Sequence, residues 1–260
     1  LTFMKLATWN VNSLTVRIGQ VEDWIKKAQP DLLLLQETKQ ENIKFPHEAI
    51  HALGYSSIHN GQKTYNGVAI ISKYELLDVQ HNIPNFQDEQ KRLIAATINT
   101  EHGKIRIVCV YVPNGQSVGS DKYHYKLDWL KHFTSWLKNE MLSFTDIIIA
   151  GDFNIAPQDI DCHDPEAWKD NVLVSAKERE AFQSILALGL LDSFRATNPE
   201  EIQYSWWDYR MAGFRRNDGM RIDHILTNKK IISKTTLTSI DKEPRKSERP
   251  SDHTPVIIEI

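Results

Sequence analysis

The side chains best suited to chemistry fall in short clusters that run the length of the chain. Asn10 and Asn12 stand in Trp9-Asn10-Val11-Asn12, Glu37 in Leu35-Gln36-Glu37-Thr38, and Asn114 in Tyr111-Val112-Pro113-Asn114. Asp152 and Asn154 share Gly151-Asp152-Phe153-Asn154, Asp223 sits in Arg221-Ile222-Asp223-His224, and Asp252 and His253 follow Ser251. Hydrolysis of a phosphodiester needs these residue types. Mg²⁺ prefers hard oxygen ligands and keeps several of its waters, so Glu37 and Asp252 suffice as carboxylates, with Asn12 in support. Such an ion polarises a phosphoryl oxygen or stabilises the leaving oxygen. Asp152 can take the proton of an attacking water, and Asn154, two residues on, can orient that water. His253 and Tyr111 can hydrogen-bond the charge that develops on the phosphorus oxygens. A histidine so used needs a carboxylate to fix its tautomer, and Asp223 is the candidate.

Each residue also has an ordinary structural use. Glu37 can start a helix or lie on the surface, and Asp152 and Asn154 can close a turn through their own side chains. Tyr111 can be half-buried packing with a satisfied hydroxyl, and the Asp252-His253 pair can simply begin a strand. The ordinary use is favoured for any one of them; five such coincidences at strand ends are not.

The elements that must hold these groups are short runs rich in Ile, Val and Leu, bounded by Gly, Pro, Asn or Asp. They predict strands over 5–9, 31–36, 67–72, 92–99, 104–112, 146–150, 221–227 and 255–260. Helical spacing appears between them. Ile18, Val21, Trp24, Ile25 and Ala28 share one face, Leu127, Leu130, Phe133 and Leu137 another, and 176–188 reads as a third helix with Ser175 as its N-cap and Gly189 beyond its end. Mixed strands and helices with hairpin-like pairs in the middle predict stacked sheets covered by helices, rather than a simple doubly wound sheet. No linker or repeat is evident, so a single domain over 4–260 is expected.

Composition sets the outer bounds. Of 260 residues, 41% are hydrophobic and 25% charged, which leaves apolar material for a large core. The longest apolar runs, such as 31–35 and 256–258, are strand-sized, so no membrane span is expected. Leu1-Thr2-Phe3 read as an expression remnant ahead of a native start at Met4, with no secretory signal after it. Cys109 and Cys162 fit no zinc or disulfide pattern, and a reducing cytoplasm suits them. The net charge of -3 argues against binding DNA through an overall field. Local charge differs: Arg210, Arg215, Arg216 and Arg221 form one basic stretch, and Lys242, Arg245, Lys246 and Arg249 another. Either alone is a solvated face; two of them flanking the catalytic motifs make a phosphate-tracking surface.

Taken in order, Trp-Asn-Val-Asn, Gln-Glu-Thr-Lys, Tyr-Val-Pro-Asn, Gly-Asp-Phe-Asn, Arg-Ile-Asp-His and Ser-Asp-His resemble the endonuclease/exonuclease/phosphatase superfamily from Trp9 to Pro255. The resemblance implies an α/β fold, a four-layered α/β sandwich of the DNase I-like kind in which two sheets pack face to face. It also implies the roles set out above: Glu37 for metal, Asp152 and Asn154 for the water, Asp223 behind His253, Tyr111 near the phosphate, and Asn10 and Asn114 in support. The stretches 36–39, 122–127, 189–195 and 204–210 further resemble the exonuclease III family of DNA-repair enzymes, the second of them looking bacterial. In that family an aromatic residue at the place of Trp206 and an apolar one at the place of Met220 line the pocket for an extruded abasic sugar. Asn12 stands where some relatives carry aspartate, and Met220 where some carry tryptophan, leaving a more flexible wall.

The expected activity is therefore Mg²⁺-dependent incision of double-stranded DNA 5′ to abasic sites, with Mn²⁺ as a candidate substitute. Exonuclease action from 3′ ends and the cleaning of blocked 3′ ends would accompany it. The expected protein is monomeric, without a membrane partner, and works in the bacterial cytoplasm. Three rivals stand beside this reading. One is a 3′-end-processing paralogue, and another is a secreted nuclease or an inositol-phosphate or sphingomyelin phosphodiesterase. The third is a catalytically silent DNA-binding protein on the same fold.

Overall fold

A computed structural model describes residues 3–260. The first part of the chain forms β1 (Lys5–Asn10), α1 (Leu14–Ala28), β2 (Leu32–Gln36), α2 (His47–Ala52), β3 (Ser56–Asn60) and β4 (Val68–Ser72). Then come β5 (Leu77–His81), β6 (Leu93–Thr100), β7 (Gly103–Tyr111), α3 (Asp121–Ser143), β8 (Ile147–Asp152), α4 (Pro165–Trp168), α5 (Ala176–Leu186), β9 (Leu190–Asp192) and α6 (Ser193–Thr197). The remainder is β10 (Trp206–Trp207), α7 (Gly213–Arg216), β11 (Gly219–Met220), β12 (Asp223–Asn228), α8 (Lys229–Lys234), β13 (Leu237–Ile240) and β14 (Val256–Glu259).

Two six-stranded mixed sheets carry the fold, ordered β13-β14-β1-β2-β4-β3 and β5-β6-β7-β8-β12-β9. The all-leucine start of β2 shows why four layers result. Leu32 and Leu34 point into the gap between the sheets, where they meet Ile94, Ile107, Ile148 and Ile225. Leu33 and Leu35 point the other way, against Val21, Trp24 and Ile25 of α1. A strand buried on both faces reads as a continuous apolar run, not an alternating one. The second sheet repeats the pattern: Val108, Val110, Ile147 and Ile149 face outward onto Leu130, Phe133 and Leu137 of α3 and onto Phe182 and Ile185 of α5. Each such side chain, fully buried, contributes roughly 1.5–3 kcal/mol.

The helices begin where their caps require. Ser120 accepts a hydrogen bond from the Tyr123 amide at the start of α3. Ser175 and Glu178 form a reciprocal capping box on α5, as the sequence predicts for Ser175. The strand predicted at 221–227 begins at Asp223, which leaves Arg221 outside it. β5, with a largely exposed pattern, and the two-residue ladder of β10 and β11 carry no apolar run, so hydrophobic periodicity does not mark them.

Leu1 and Thr2, part of the expected remnant, lie outside the described residues. Phe3 donates its amide to the Ile260 carbonyl (2.6 Å) and packs on the inter-sheet core.

Candidate active site

Strand alternation builds the site as the polar end of the inter-sheet core. On β8, Ile148 and Ala150 face the other sheet, and two residues on the same face presents Asp152. On β7, Ile107 and Cys109 lead in the same way to Tyr111, and on β12 Ile225 shares its face with Asp223. Register aligns them: Tyr111 lies opposite Asp152, and Asp152 opposite Asp223. From the first sheet, Leu6 and Thr8 lead to Asn10, which pairs with Gln36 just before Glu37. Gly151 lets β8 come this close, since a Cβ there would lie 1.9 Å from the Val110 carbonyl oxygen.

Asn10, fully buried, joins the sheets. Its Nδ2 donates to Glu37 Oε2 (2.6 Å) and to Asp152 Oδ2 (2.9 Å), and its Oδ1 accepts from the Asn12 amide (3.0 Å). His253, also buried, bonds Asp223 Oδ2 through Nδ1 (2.8 Å), and its Nε2 lies 3.6 Å from Asp152 Oδ2. Burial disfavours charge on His253, but Asp223 and Asp152 outweigh it and raise the imidazole well above its usual range. Burial raises the Asp152 carboxyl in turn, with Asp223 and Glu37 adding to it against the pull of His253 and Asn10. Tyr111 keeps its proton too, because burial and the carboxylates of Glu37 and Asp152 push the phenol up. The site therefore holds a proton donor on each side of a carboxyl with high proton affinity.

Three site residues adopt left-handed backbone: Asn12 (φ 45), Glu37 (φ 53) and Asn154 (φ 50). Such conformations cost of order 1–3 kcal/mol for a residue that does not favour them, and they cluster where function fixes a side chain. The Asn154 amide donates to Asp152 Oδ1 (2.9 Å), and its Nδ2 donates to the Val112 carbonyl (2.9 Å). Exposed Asn114 lies 3.5 Å from Asn154 Oδ1 through its Nδ2. Beside Glu37 and Tyr111 opens a groove of about 760 Å³ that Tyr65, Asn66, Arg92 and Lys122 also line. Arg92 lies over the Tyr111 ring at 4.8 Å and donates to its carbonyl (3.1 Å).

Glu37, Asp152 and His253 each offer an atom within 4.8 Å of the others, the one such group of His, Cys, Asp and Glu among the described residues. Its two carboxylates suit a hard divalent cation. Asp252, expected beside Glu37 as a ligand, stands outside this group, and it holds Asn12, the other expected ligand: Asn12 Nδ2 donates to Asp252 Oδ1 (3.2 Å). Lys39 donates to Asn12 Oδ1 (2.7 Å), and Trp206 Nε1 to Asp252 Oδ2 (3.1 Å). Asp252 thereby anchors the tryptophan beside the site, and Asn12 anchors a lysine that lies 3.7 Å from Glu37.

Two expectations are corrected. Arg221 does not reach DNA: it is 1% exposed and paired with Asp161 (2.8 Å) and Asp192 (2.7 Å), so its charge is spent inside the protein. Met220 is fully buried opposite Trp206 on β11, packed with Cys162 and Ile222, so it backs Trp206 instead of forming an open wall. Trp206 is half-exposed, whereas Trp207 is core and donates to Asn217 (3.0 Å). Arg210 reaches solvent and pairs with Asp208. Within the second basic stretch, Arg245 is buried against the rings of Trp207, Tyr209 and Phe214.

Ser205 and Lys126 contact the site, although no motif marks either of them. Ser205 donates to Asp223 Oδ2 (2.7 Å) and accepts from the Asp223 amide (3.1 Å), which fixes the carboxylate behind His253. Lys126 is fully buried beneath Asn114 and Asn154. Its position was detectable, since 126, 130, 133 and 137 repeat at helical spacing on the apolar face.

The endonuclease/exonuclease/phosphatase family model matches residues 7–253. The chain is 37% identical to exodeoxyribonuclease III of Haemophilus influenzae, over 97% of this chain and 98% of that protein. A solved structure of a 3′ phosphatase from Neisseria, NExo, bound to product DNA hairpin, superposes with a TM-score of 0.96 at 44% identity over 99% of each chain. An AP endonuclease from Archaeoglobus fulgidus superposes at 0.94 and 38% identity over 98% of each. With its paired carboxylates, its histidine and this likeness along the whole length, the chain belongs to the endonuclease/exonuclease/phosphatase family and is a hydrolase of the exonuclease III type.

Proposed function

We propose that the protein is a Mg²⁺-dependent DNA-repair phosphodiesterase that incises duplex DNA 5′ to abasic sites and also trims and cleans 3′ ends. One observation carries this reading: Glu37 and Asp152, from different sheets, meet on Asn10 with His253 and Tyr111 beside them. Glu37, with Asp152 facing it, would hold Mg²⁺, which when bound polarises the phosphoryl oxygen. Asp152 takes the proton of the attacking water, and Asn154, its backbone tied to Asp152, orients that water. His253, held by Asp223, and Tyr111 donate to the phosphoryl oxygens as charge builds. Half-exposed Trp206, braced by Asp252, stacks on or walls in the deoxyribose, and Arg210 takes a backbone phosphate. The reading includes a single domain over 4–260 that acts as a monomer in the bacterial cytoplasm; relatives from bacteria match over 97% of this chain.

A second reading is favoured by a specific observation. The two solved structures of NExo from Neisseria, at 44% identity, are described as a 3′ phosphatase and a 3′-5′ exonuclease, and here Met220 is buried opposite Trp206. These point to an end-processing paralogue with the same chemistry and weak abasic incision. Three labelled duplexes in Mg²⁺ and in EDTA separate the readings: an internal abasic analogue, a recessed 3′ end, and a nick bearing a 3′-phosphate. Metal-dependent cutting fastest on the first establishes the abasic endonuclease. Preference for the 3′ ends establishes the paralogue, and no cleavage of any duplex overturns both.

A further inference from the structure

Lys126 is a charged residue placed where an apolar one would ordinarily sit. It lies on the inward face of α3, is fully buried, and carries three ammonium protons with three acceptors. Nζ donates to the carbonyl oxygens of Asn154 (2.7 Å) and Asn114 (3.1 Å) and to Glu178 Oε1. Taking an ammonium and a carboxylate out of water costs several kcal/mol per ion, and apolar residues of similar volume are often as stable there. The pair's distinctive effect is on the two loops it grips. One carries Asn114, and the other, which follows Asp152 at the end of β8, carries Asn154.

Asn154 is held from every side. Its amide bonds Asp152, its side chain bonds the Val112 carbonyl, and its own carbonyl bonds Lys126, which fixes the left-handed backbone at φ 50. The anchor beneath Lys126 is equally determined. Glu178 accepts from the Leu173 amide (3.0 Å), the Ser175 amide (3.2 Å) and Ser175 Oγ (2.5 Å), and Ser175 Oγ in turn bonds the Tyr123 hydroxyl (2.8 Å). Gly115, at φ +91, lets the Asn114 loop lie over the lysine, since a Cβ there would lie 3.0 Å from Lys126 Cδ.

We propose that Lys126, seated on Glu178, is a positioning residue for the reaction: its ammonium sets the backbone of Asn154 and so the direction in which that side chain meets the attacking water. The proposal rests on the reading that Asp152 and Asn154 handle that water.

The test uses the full chain with Mg²⁺ and the duplex that the wild type cuts fastest. Lys126→Met alone strands the Glu178 charge and unfolds more easily. Lys126→Met/Glu178→Gln removes both charges and should regain most of the wild-type melting temperature. In that double variant kcat should remain down by roughly 10²-fold, the scale on which misplacing a reacting group acts, with KM within about twofold. The ¹⁵N-labelled side-chain amide of Asn154 should shift or broaden, while the indole signal of Trp129 stays in place. A double variant with wild-type kcat and an unmoved Asn154 amide overturns the proposal, as does a kcat that recovers in step with stability. If the wild type cuts no duplex, the functional reading fails by itself, and the Asn154 amide still decides whether Lys126 positions that residue.

Discussion

Glu37 and Asp152 come from different sheets, yet both accept from one side-chain nitrogen, Asn10 Nδ2, at 2.6 and 2.9 Å. Two carboxylates so close repel unless a donor or a cation lies between them, and a neutral amide relieves only part of that repulsion. Asn10 thus sets the gap between the acidic groups and leaves them ready for a cation.

Replacing Asn10 should therefore act through metal dependence. Asn10→Ala is expected to lower cleavage by roughly 10–100-fold at limiting Mg²⁺, the effect usual for partners that orient metal ligands, with partial recovery at high Mg²⁺. Asn10→Asp should be worse, because it adds a third carboxylate. Cleavage rate against Mg²⁺ concentration checks both. A loss that is equal at every Mg²⁺ concentration would show that Asn10 acts on packing instead.

Asp152→Asn keeps the shape and the hydrogen bond from Asn154 but removes the base. Turnover is expected to fall by at least roughly 10²–10⁴-fold, the usual contribution of a positioned base. The fold should be largely kept, because the lost hydrogen bond from Asn10 is offset by removing a carboxyl that burial already disfavours. Single-turnover cleavage with a parallel melting curve measures both, and near-normal turnover would sink the assignment of Asp152.

Arg221 belongs to stability rather than to DNA. Arg221→Met leaves Asp161 and Asp192 buried with less compensation, although Arg195 still pairs with Asp161 (2.6 Å). Removing one member of such a network costs about 3–5 kcal/mol. Urea unfolding should show that loss. A stable variant whose DNA binding becomes less salt-dependent would instead restore the DNA-contact role.

How far the sequence reveals this protein depends on which physical rule governs each part. β2, β8 and α1 are legible because burial of both strand faces and helical spacing write themselves into residue types. Asp152, Asn154, Glu37 and His253 are legible as a set because their residue types share one chemistry. The pairing of Asn12 with Asp252, and the burial of Arg221 and Met220, are not legible. Asn12 meets Asp252 because the loop after β1 lies against the stretch before β14, and Arg221 is buried because the chain before β12 packs on Asp161 and Asp192, contacts distant in sequence that no local period encodes. Arginine in a motif reads as a phosphate ligand until its carboxylate partners, 60 and 29 residues away, are seen.

A pH-sensitive histidine lies beside the site. His59 is buried, stacks on Phe45 with ring centres 4.4 Å apart, and bonds Thr38 Oγ1 through Nε2 (2.8 Å), next to Glu37. Burial, helped by His47, holds its imidazole down at about 4, against 6.5 when free. Well above pH 6.5 neither the folded nor the unfolded chain binds a proton there, so this residue leaves stability unchanged. As pH falls from 6.5 towards 4, the unfolded chain takes up a proton that the folded chain refuses. Stability therefore drops by at most about 1.4 kcal/mol per pH unit and levels off once the folded imidazole also charges. His59→Gln removes the titrating group, so wild type and variant should differ by a constant amount well above pH 6.5. Below it the wild type alone should lose this share. Urea unfolding at pH 7.5, 6.5, 5.5 and 4.5 measures the difference, and parallel curves across the whole range would show that folded His59 protonates as freely as it does in water.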